Sequence, residues 1–291
     1  MIVTNQAIGN KWELVFRLIR WKNLLIIMVS QYCTLVFLAH NGSGIPGVVL
    51  DPWFLMVCTG TVLVAAGGYI INDYYDIKID YLNRPERVIV GKSLRRRTAL
   101  IAHMGITLAG ILLGFAAGWM IGISCLFAAF LLWFYSNLLK RLPFLGNFAI
   151  ALLTALSIFI VWLYCRQNLG LILGYSIFGF FSTLIREVIK DMEDLKGDQT
   201  FGCKTIPILW GIRRTKSFVL AMILAFTVLF IVFISPFKIL MLYFYLIFLA
   251  VPMIYFAWKL ILADTRREFT QLSSLAKIIM VMGIGSMVFF K

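Results

Sequence analysis

The sequence predicts an all-α fold, a polytopic membrane bundle of nine transmembrane helices with its N-terminus in the cytoplasm. Three observations carry that prediction. Of 291 residues, 62% belong to the set AVILMFWYC and only 14% are charged, against about 45–50% apolar and 25% charged in a soluble domain. The apolar residues gather into nine long runs, each near the roughly 20 residues that a helix needs to cross a bilayer. Lysine and arginine collect on alternate loops, the mark of cytoplasmic faces.

Taken in order, the first run covers 22–40, behind the basic residues Lys11, Arg17, Arg20 and Lys22, and carries one polar side chain, Asn23, near its start. The second, 53–71, begins after Pro52, where a residue without an N–H is tolerated. The third, 98–117, follows Arg95, Arg96 and Arg97 and sets Gly110, Gly114 and Gly118 on one face, a stripe that predicts close helix packing. The fourth, 119–138, and the fifth, 147–165, flank a loop with Pro143; the sixth covers 169–189 and the seventh 216–235, ending at Pro236. The eighth, 238–262, holds the one interior proline, Pro252, which predicts a kink; the ninth covers 272–290.

With the N-terminus inside, 24 of 27 Lys and Arg fall on the cytoplasmic side, leaving Arg166, Lys238 and Lys291 outside. The net charge of +14 is then a product of topology and of attraction to anionic lipid, so the bilayer and not nucleic acid is the expected partner. The composition excludes disorder, a coiled coil, a disulfide scaffold and an outer-membrane barrel. The five cysteines are scattered without a CxxC, His40 and His103 lack partners at ligand spacing, and no cleavable signal peptide is expected ahead of so long a first run. The chain reads as a single domain, 1–291, with diverged halves at about 12–140 and 147–262 and an added ninth helix at 272–290.

The acidic residues do not follow topology. Nine of thirteen lie in two stretches, 73–86 and 187–198. The first holds Asn72, Asp73, Asp76, Asp80, Arg84 and Arg87; the second holds Arg186, Lys190, Asp191, Asp194 and Asp198. In both, aspartates stand at i, i+3 and i+7, which places them within about 60° of arc on a helix. Stacked like charges destabilise a helix, and carboxylates at a membrane are costly enough to serve a purpose. Mg²⁺ is the expected compensation, since it takes oxygen ligands, binds one or two carboxylates and completes its shell with water and phosphate. Two such clusters facing each other would hold metal on either side of a diphosphate, with Arg84, Arg87, Lys140, Arg186 and Lys190 offsetting the remaining charge. An EF-hand is excluded by the absence of its loop pattern.

Asn72-Asp73-x-x-Asp76-x-x-x-Asp80 with Asn83-Arg84-Pro85, and Asp191-x-x-Asp194-x-x-x-Asp198, resemble the two motifs of the UbiA superfamily of intramembrane prenyltransferases. Tyr135-Ser136-x-x-x-Lys140-Arg141 with Gly146-Asn147 is similar to its loop between spans four and five. Within the family, Arg186-Glu187-x-x-Lys190-Asp191 and Thr205-Ile206-Pro207 look most like the digeranylgeranylglyceryl phosphate synthases. Tyr81, where an Arg commonly stands, and Arg87-Val88-Ile89-Val90-Gly91-Lys92, in place of a proline-rich stretch, depart from that pattern.

The resemblance implies a central cavity open to the bilayer, two Mg²⁺ ions, a prenyl diphosphate donor and a membrane-soluble acceptor, with no obligate protein partner and the active site at the cytoplasmic face of the cell membrane. It maps metal ligation onto Asn72, Asp73, Asp76, Asp191, Asp194 and Asp198; catalysis onto Asp76, Asp80, Asp191 and Lys140; and substrate contact onto Asn23, Arg84, Arg87, Tyr135, Lys140, Arg186 and Lys190. Heterolysis of the allylic C–O bond would leave a carbocation, for which Tyr69, Tyr74, Tyr75, Phe134 and Tyr135 offer aromatic faces. The expected reaction is geranylgeranyl transfer to geranylgeranylglyceryl phosphate. An aromatic quinone or haem precursor is the alternative acceptor, and a cation-coupled transporter is the alternative class; the latter would place its charge near the midplane.

Overall fold

The computed structural model describes residues 11–39, 45–83, 85–86, 88–234 and 249–290. Among the described residues eight helices are long and apolar enough to cross a membrane. After a short amphipathic α1 (Lys11–Leu18), α2 (Trp21–Cys33) continues through a π-helical turn to Ala39. A single turn, α3 (Ile45–Val49), leads into α4 (Pro52–Asn83), followed by α5 (Arg96–Ala117), α6 (Trp119–Asn137), α7 (Leu145–Cys165) and α8 (Leu169–Glu193). A short α9 (Leu195–Thr200) precedes α10 (Ile206–Ile234), and the chain ends with α11 (Val251–Leu262) and α12 (Arg266–Gly285), the last extended by a 3-10 turn to Phe290.

Several boundaries differ from the hydropathy reading, each for a local reason. Between Tyr69 and Asn83 there is no glycine or proline, so α4 carries on well past the apolar run and stops only before Pro85. The first acidic motif therefore lies on a continuous helix. α10 starts at Ile206 because Gly211, at φ 76, lets a short N-terminal segment join through a kink. α12 starts at Arg266, where Thr265 and Glu268 form a reciprocal capping box. The predicted eighth run is described only from its C-terminal part, α11, in which Pro252 stands in the first turn, where it needs no N–H partner.

α4 and α5 form the closest pair. A Cβ at Gly110 would sit 2.8 Å from the Gly60 carbonyl oxygen and 3.0 Å from the Val64 nitrogen, so the backbones touch directly. One core joins the π-helical turn after α2 to α4, α6, α7 and α8 through Leu38, Phe54, Ile121, Val161 and Tyr175; a second joins α8 to α10, α11 and α12 through Val188, Val219, Phe226, Phe256 and Phe269. Met104, Leu108 and Leu112 on α5 face outward, at the four-residue spacing of a lipid-facing stripe. This is a multi-pass membrane bundle.

Its two ends are chemically unlike. At one, the Tyr164 hydroxyl donates to Asp51, and Asn168 Nδ2 donates to the Leu38 carbonyl at 2.7 Å. The other end of α4, about 48 Å away at 1.5 Å per residue, carries the acidic motif. His103 Nδ1 donates to the Gly67 carbonyl at 3.0 Å, which makes it a packing group.

Candidate active site

The last turns of α4 hold Asn72, Asp73, Asp76 and Asp80 on the face turned into the bundle. Arg20, held at φ 53 between α1 and α2, donates from Nη2 to Asp73 Oδ1 at 2.8 Å and lies 5.0 Å from the centre of the Tyr69 ring. Lys140 sits on the 3-10 turn Leu139–Arg141 and pairs with Asp76; the two side chains are 10% and 14% exposed. That turn is held tightly to the start of α7. A Cβ at Gly146 would come within 2.9 Å of the Lys140 Cα, and the Lys204 N–H donates to the Arg141 carbonyl at 2.8 Å.

The second motif is not the continuous stripe its spacing predicts. α8 ends at Glu193, Asp194 breaks the helix at φ −96 and ψ 7, and Asp198 follows on α9. Asp191 accepts a 2.9 Å hydrogen bond from Asn147 Nδ2 of α7, and Asp194 stands 3.8 Å from Arg266 Nη2. The break turns α9 against the end of α4, so the two motifs meet. Asp198 then feels both Asp194 and Asp76. Burial first, and those two carboxylates next, push its pKa up to about 7, with Lys190 and Lys140 offsetting only part of the effect. Burial likewise pushes the nearby Cys203 thiol up to about 11.

Arg186 and Lys190 make their ion pairs with Glu187 and not with the aspartates of this group. Both hold Glu187, Arg186 Nη1 at 2.7 Å and Lys190 Nζ at 2.8 Å, and Glu187 itself is buried. Asn23 accepts from Lys277 Nζ of α12 at 2.6 Å and bonds Tyr69. Tyr135 of α6 stands between the groups, within electrostatic reach of Glu187, Asp76, Asp191 and Arg20. Of the expected aromatic faces, Tyr69 is covered by Arg20 and Tyr74 by Arg96 at 4.7 Å, while Phe134 stacks on Phe130. Arg84 and Arg87 lie outside the described residues. Arg20, Arg266 and Lys277 join the site without having been singled out by motif, and Asn147 and Glu187, quoted within motifs, join it without an expected role.

Among the described residues no three His, Cys, Asp or Glu side chains converge to hold a metal ion in this arrangement. The donor chemistry nevertheless fits Mg²⁺. All the facing groups are oxygen donors, paired as Asp76 with Asp80 on α4 and Asp194 with Asp198 across the helix break. Burial first, then the Asp194 and Asp76 carboxylates that Lys190 and Lys140 only partly offset, raises the Asp198 carboxyl.

The sequence profile of the UbiA prenyltransferase family matches residues 28–278. The chain is similar to digeranylgeranylglyceryl phosphate synthase of Methanosphaera stadtmanae, 39% identical over 56% of this chain and 59% of that protein, less than two thirds of the relative's length. The same named enzyme of Methanothrix thermoacetophila is 36% identical over 73% of this chain and 80% of that protein. That of Saccharolobus solfataricus is 35% identical over 79% and 83%. Among solved structures, one from work on digeranylgeranylglyceryl phosphate synthase in membranes superposes with TM-score 0.72 at 23% identity, over 96% of this chain and 98% of the other. A UbiA homologue from Archaeoglobus fulgidus bound to GPP and Mg²⁺ superposes with TM-score 0.70 at 13% identity, over 94% and 99%. At these identities the superpositions speak for the fold.

Proposed function

The chain belongs to the UbiA prenyltransferase family, and from that membership we propose that it transfers a geranylgeranyl group from its diphosphate to geranylgeranylglyceryl phosphate. The observation that carries the reading is the meeting of the two aspartate motifs at one end of the bundle, with Lys140 on Asp76. The relatives named above support the choice of acceptor. The distribution of basic residues supports a nine-helix topology with a cytoplasmic N-terminus, and with it an active site at the cytoplasmic face of the cell membrane.

Asn72, Asp73, Asp76 and Asp80 on one side, and Asp191, Asp194 and Asp198 on the other, would hold two Mg²⁺ ions around the donor's diphosphate. Magnesium bound there supplies Lewis-acid neutralisation of the charge that develops on the leaving diphosphate. The protein's own groups do the rest. Lys140 donates to a diphosphate oxygen once Asp76 is engaged elsewhere, adding a fixed positive charge where negative charge grows. Asn147 fixes the Asp191 carboxylate, and Arg20 fixes Asp73. Tyr135 is the aromatic side chain best placed to face the allylic carbon as its C–O bond breaks, and the apolar bundle keeps water from the cation. The acceptor hydroxyl then attacks. The transporter reading is disfavoured because the carboxylates stand at one end of α4 and not at its middle.

The test is direct. Purified protein in nanodiscs with Mg²⁺ and labelled geranylgeranyl diphosphate is offered geranylgeranylglyceryl phosphate or 4-hydroxybenzoate. Label moving to the first supports the reading; label moving only to the second replaces it with aromatic prenylation.

A further inference from the structure

A basic group lies beside the aspartate motifs. Arg20, Arg186, Lys190 and Lys277 come from three separate places in the fold, the α1–α2 junction, α8 and α12, yet each is within electrostatic reach of Lys277 or Glu187. Their counter-charges are few. Glu187 is buried beneath Arg186 and Lys190, and Asp73 takes one edge of Arg20. In direct ion pairs these four cations share two carboxylates, while Asp80 acts on Arg20, and Asp191 and Asp198 on Lys190, from farther off. The side chains of Arg20, Arg186 and Lys190 stay 39%, 20% and 27% exposed, whereas that of Glu187 is 8% exposed. The cations are therefore reachable and the carboxylate is not. Arg186 Nε is buried and makes no hydrogen bond. Lys277 stands three turns into a membrane helix and is held by a neutral amide, Asn23, a costly position for a lysine unless an anion meets it.

We propose that Arg20, Arg186, Lys190 and Lys277, with Asn23, form a second anion site, beside the aspartate motifs, that receives the phosphate monoester of the acceptor. The proposal rests on the prenyl-transfer reading above and names the acceptor class. A phosphate monoester carries about −1.5 to −2 at pH 7, more than a carboxylate would bring to four cations that share two directly paired carboxylates. Two guanidinium groups and two ammonium groups suit its three acceptor oxygens. Tyr135, in reach of both Asp76 and Glu187, marks where a donor on the aspartates and an acceptor on the basic group would meet.

The experiment uses the full chain in nanodiscs. Lys277→Gln, remote from the aspartates, should raise the KM for geranylgeranylglyceryl phosphate about tenfold or more and leave the KM for geranylgeranyl diphosphate unchanged. Lys277→Arg should recover most of the loss. With geranylgeranylglycerol, which lacks the phosphate, wild type and Lys277→Gln should turn over equally poorly. Equal acceptor KM values in the two proteins, or a rise confined to the diphosphate donor, overturns the site. Binding of labelled geranylgeranylglyceryl phosphate without donor tests the site independently of turnover. Binding by wild type and its loss in Lys277→Gln supports the site even if transfer fails; equal binding overturns it. Competition by phosphatidic acid but not by inorganic phosphate identifies a lipid-borne monoester, and competition by inorganic phosphate alone overturns the acceptor assignment.

Discussion

Lys140, on the turn between α6 and α7, pairs with Asp76 on α4 across 64 residues of sequence, with both side chains largely withdrawn from solvent. A lysine so placed neutralises one carboxylate of the first motif, and in the proposed reaction it would become a donor to phosphate with that carboxylate turned to metal. Lys140→Met should lower kcat by about 100-fold or more, the scale of losing a fixed charge at a developing anion. Lys140→Arg should retain part of the activity. Label transfer from geranylgeranyl diphosphate in nanodiscs reads the difference, and an undiminished kcat in Lys140→Met would remove Lys140 from the chemistry.

If Asp198 holds metal as proposed, it ties metal binding to pH. Its carboxyl is raised to about 7 by burial and by Asp194 and Asp76, so the fold favours the protonated form. That contribution to stability is complete below the ordinary carboxylate pKa of about 4 and is lost as pH rises through about 7. Metal-free protein should therefore unfold at a lower temperature at pH 8 than at pH 5. Mg²⁺ should reverse the trend, binding more tightly at pH 8 than at pH 6 because a proton no longer competes. Thermal unfolding in EDTA and in Mg²⁺ across this range checks both signs; Asp198→Asn should flatten the metal-free curve.

Much of this site was legible in the sequence, and the reason is spacing. Asp73, Asp76 and Asp80 announce themselves because one helix carries all three. The second triplet repeats the spacing but not the single helix, since nothing in Asp191-Met192-Glu193-Asp194 signals that the helix stops and turns α9 onto α4. The partners were hidden. Arg20 meets Asp73 across 53 residues, Asn147 meets Asp191 across 44 and Lys277 meets Asn23 across 254. Such pairs depend on how helices pack, which periodicity along one helix does not report. Helix starts were misplaced where a cap or a kink, not hydropathy, sets them, as at Thr265 and Gly211.

Contact between α4 and α5 sets the position of the first motif. Gly110→Ala places a methyl carbon 2.8 Å from the Gly60 carbonyl oxygen and 3.0 Å from the Val64 nitrogen. Backbone atoms cannot rotate away, so the helices must separate, at a cost of about 1–3 kcal/mol. Gly105→Ala, one turn away on the same helix, meets nothing within 4 Å and should gain slightly from helix propensity. A lower Tm in the first variant and an equal or higher Tm in the second is the expected pair of results. Equal melting would show that α4 and α5 yield more readily than their backbone contact implies.

Asn147 supplies the hydrogen bond that orients Asp191, at 2.9 Å from a largely buried amide. In Asn147→Ala the carboxylate loses that donor, worth about 1–3 kcal/mol when a buried group is left unsatisfied, and kcat should fall about tenfold or more at saturating donor. Asn147→Asp is close in size but adds a negative charge beside Asp191, in a region where Asp198 already lacks compensation. Its activity should fall below that of Asn147→Ala at low Mg²⁺, and the gap should narrow as Mg²⁺ is raised, because the metal neutralises the added charge. A purely structural role for Asn147 would leave both variants with the same Mg²⁺ dependence as wild type. Turnover measured across a Mg²⁺ titration therefore separates an orienting residue of the second motif from a residue that only packs α7 against α8.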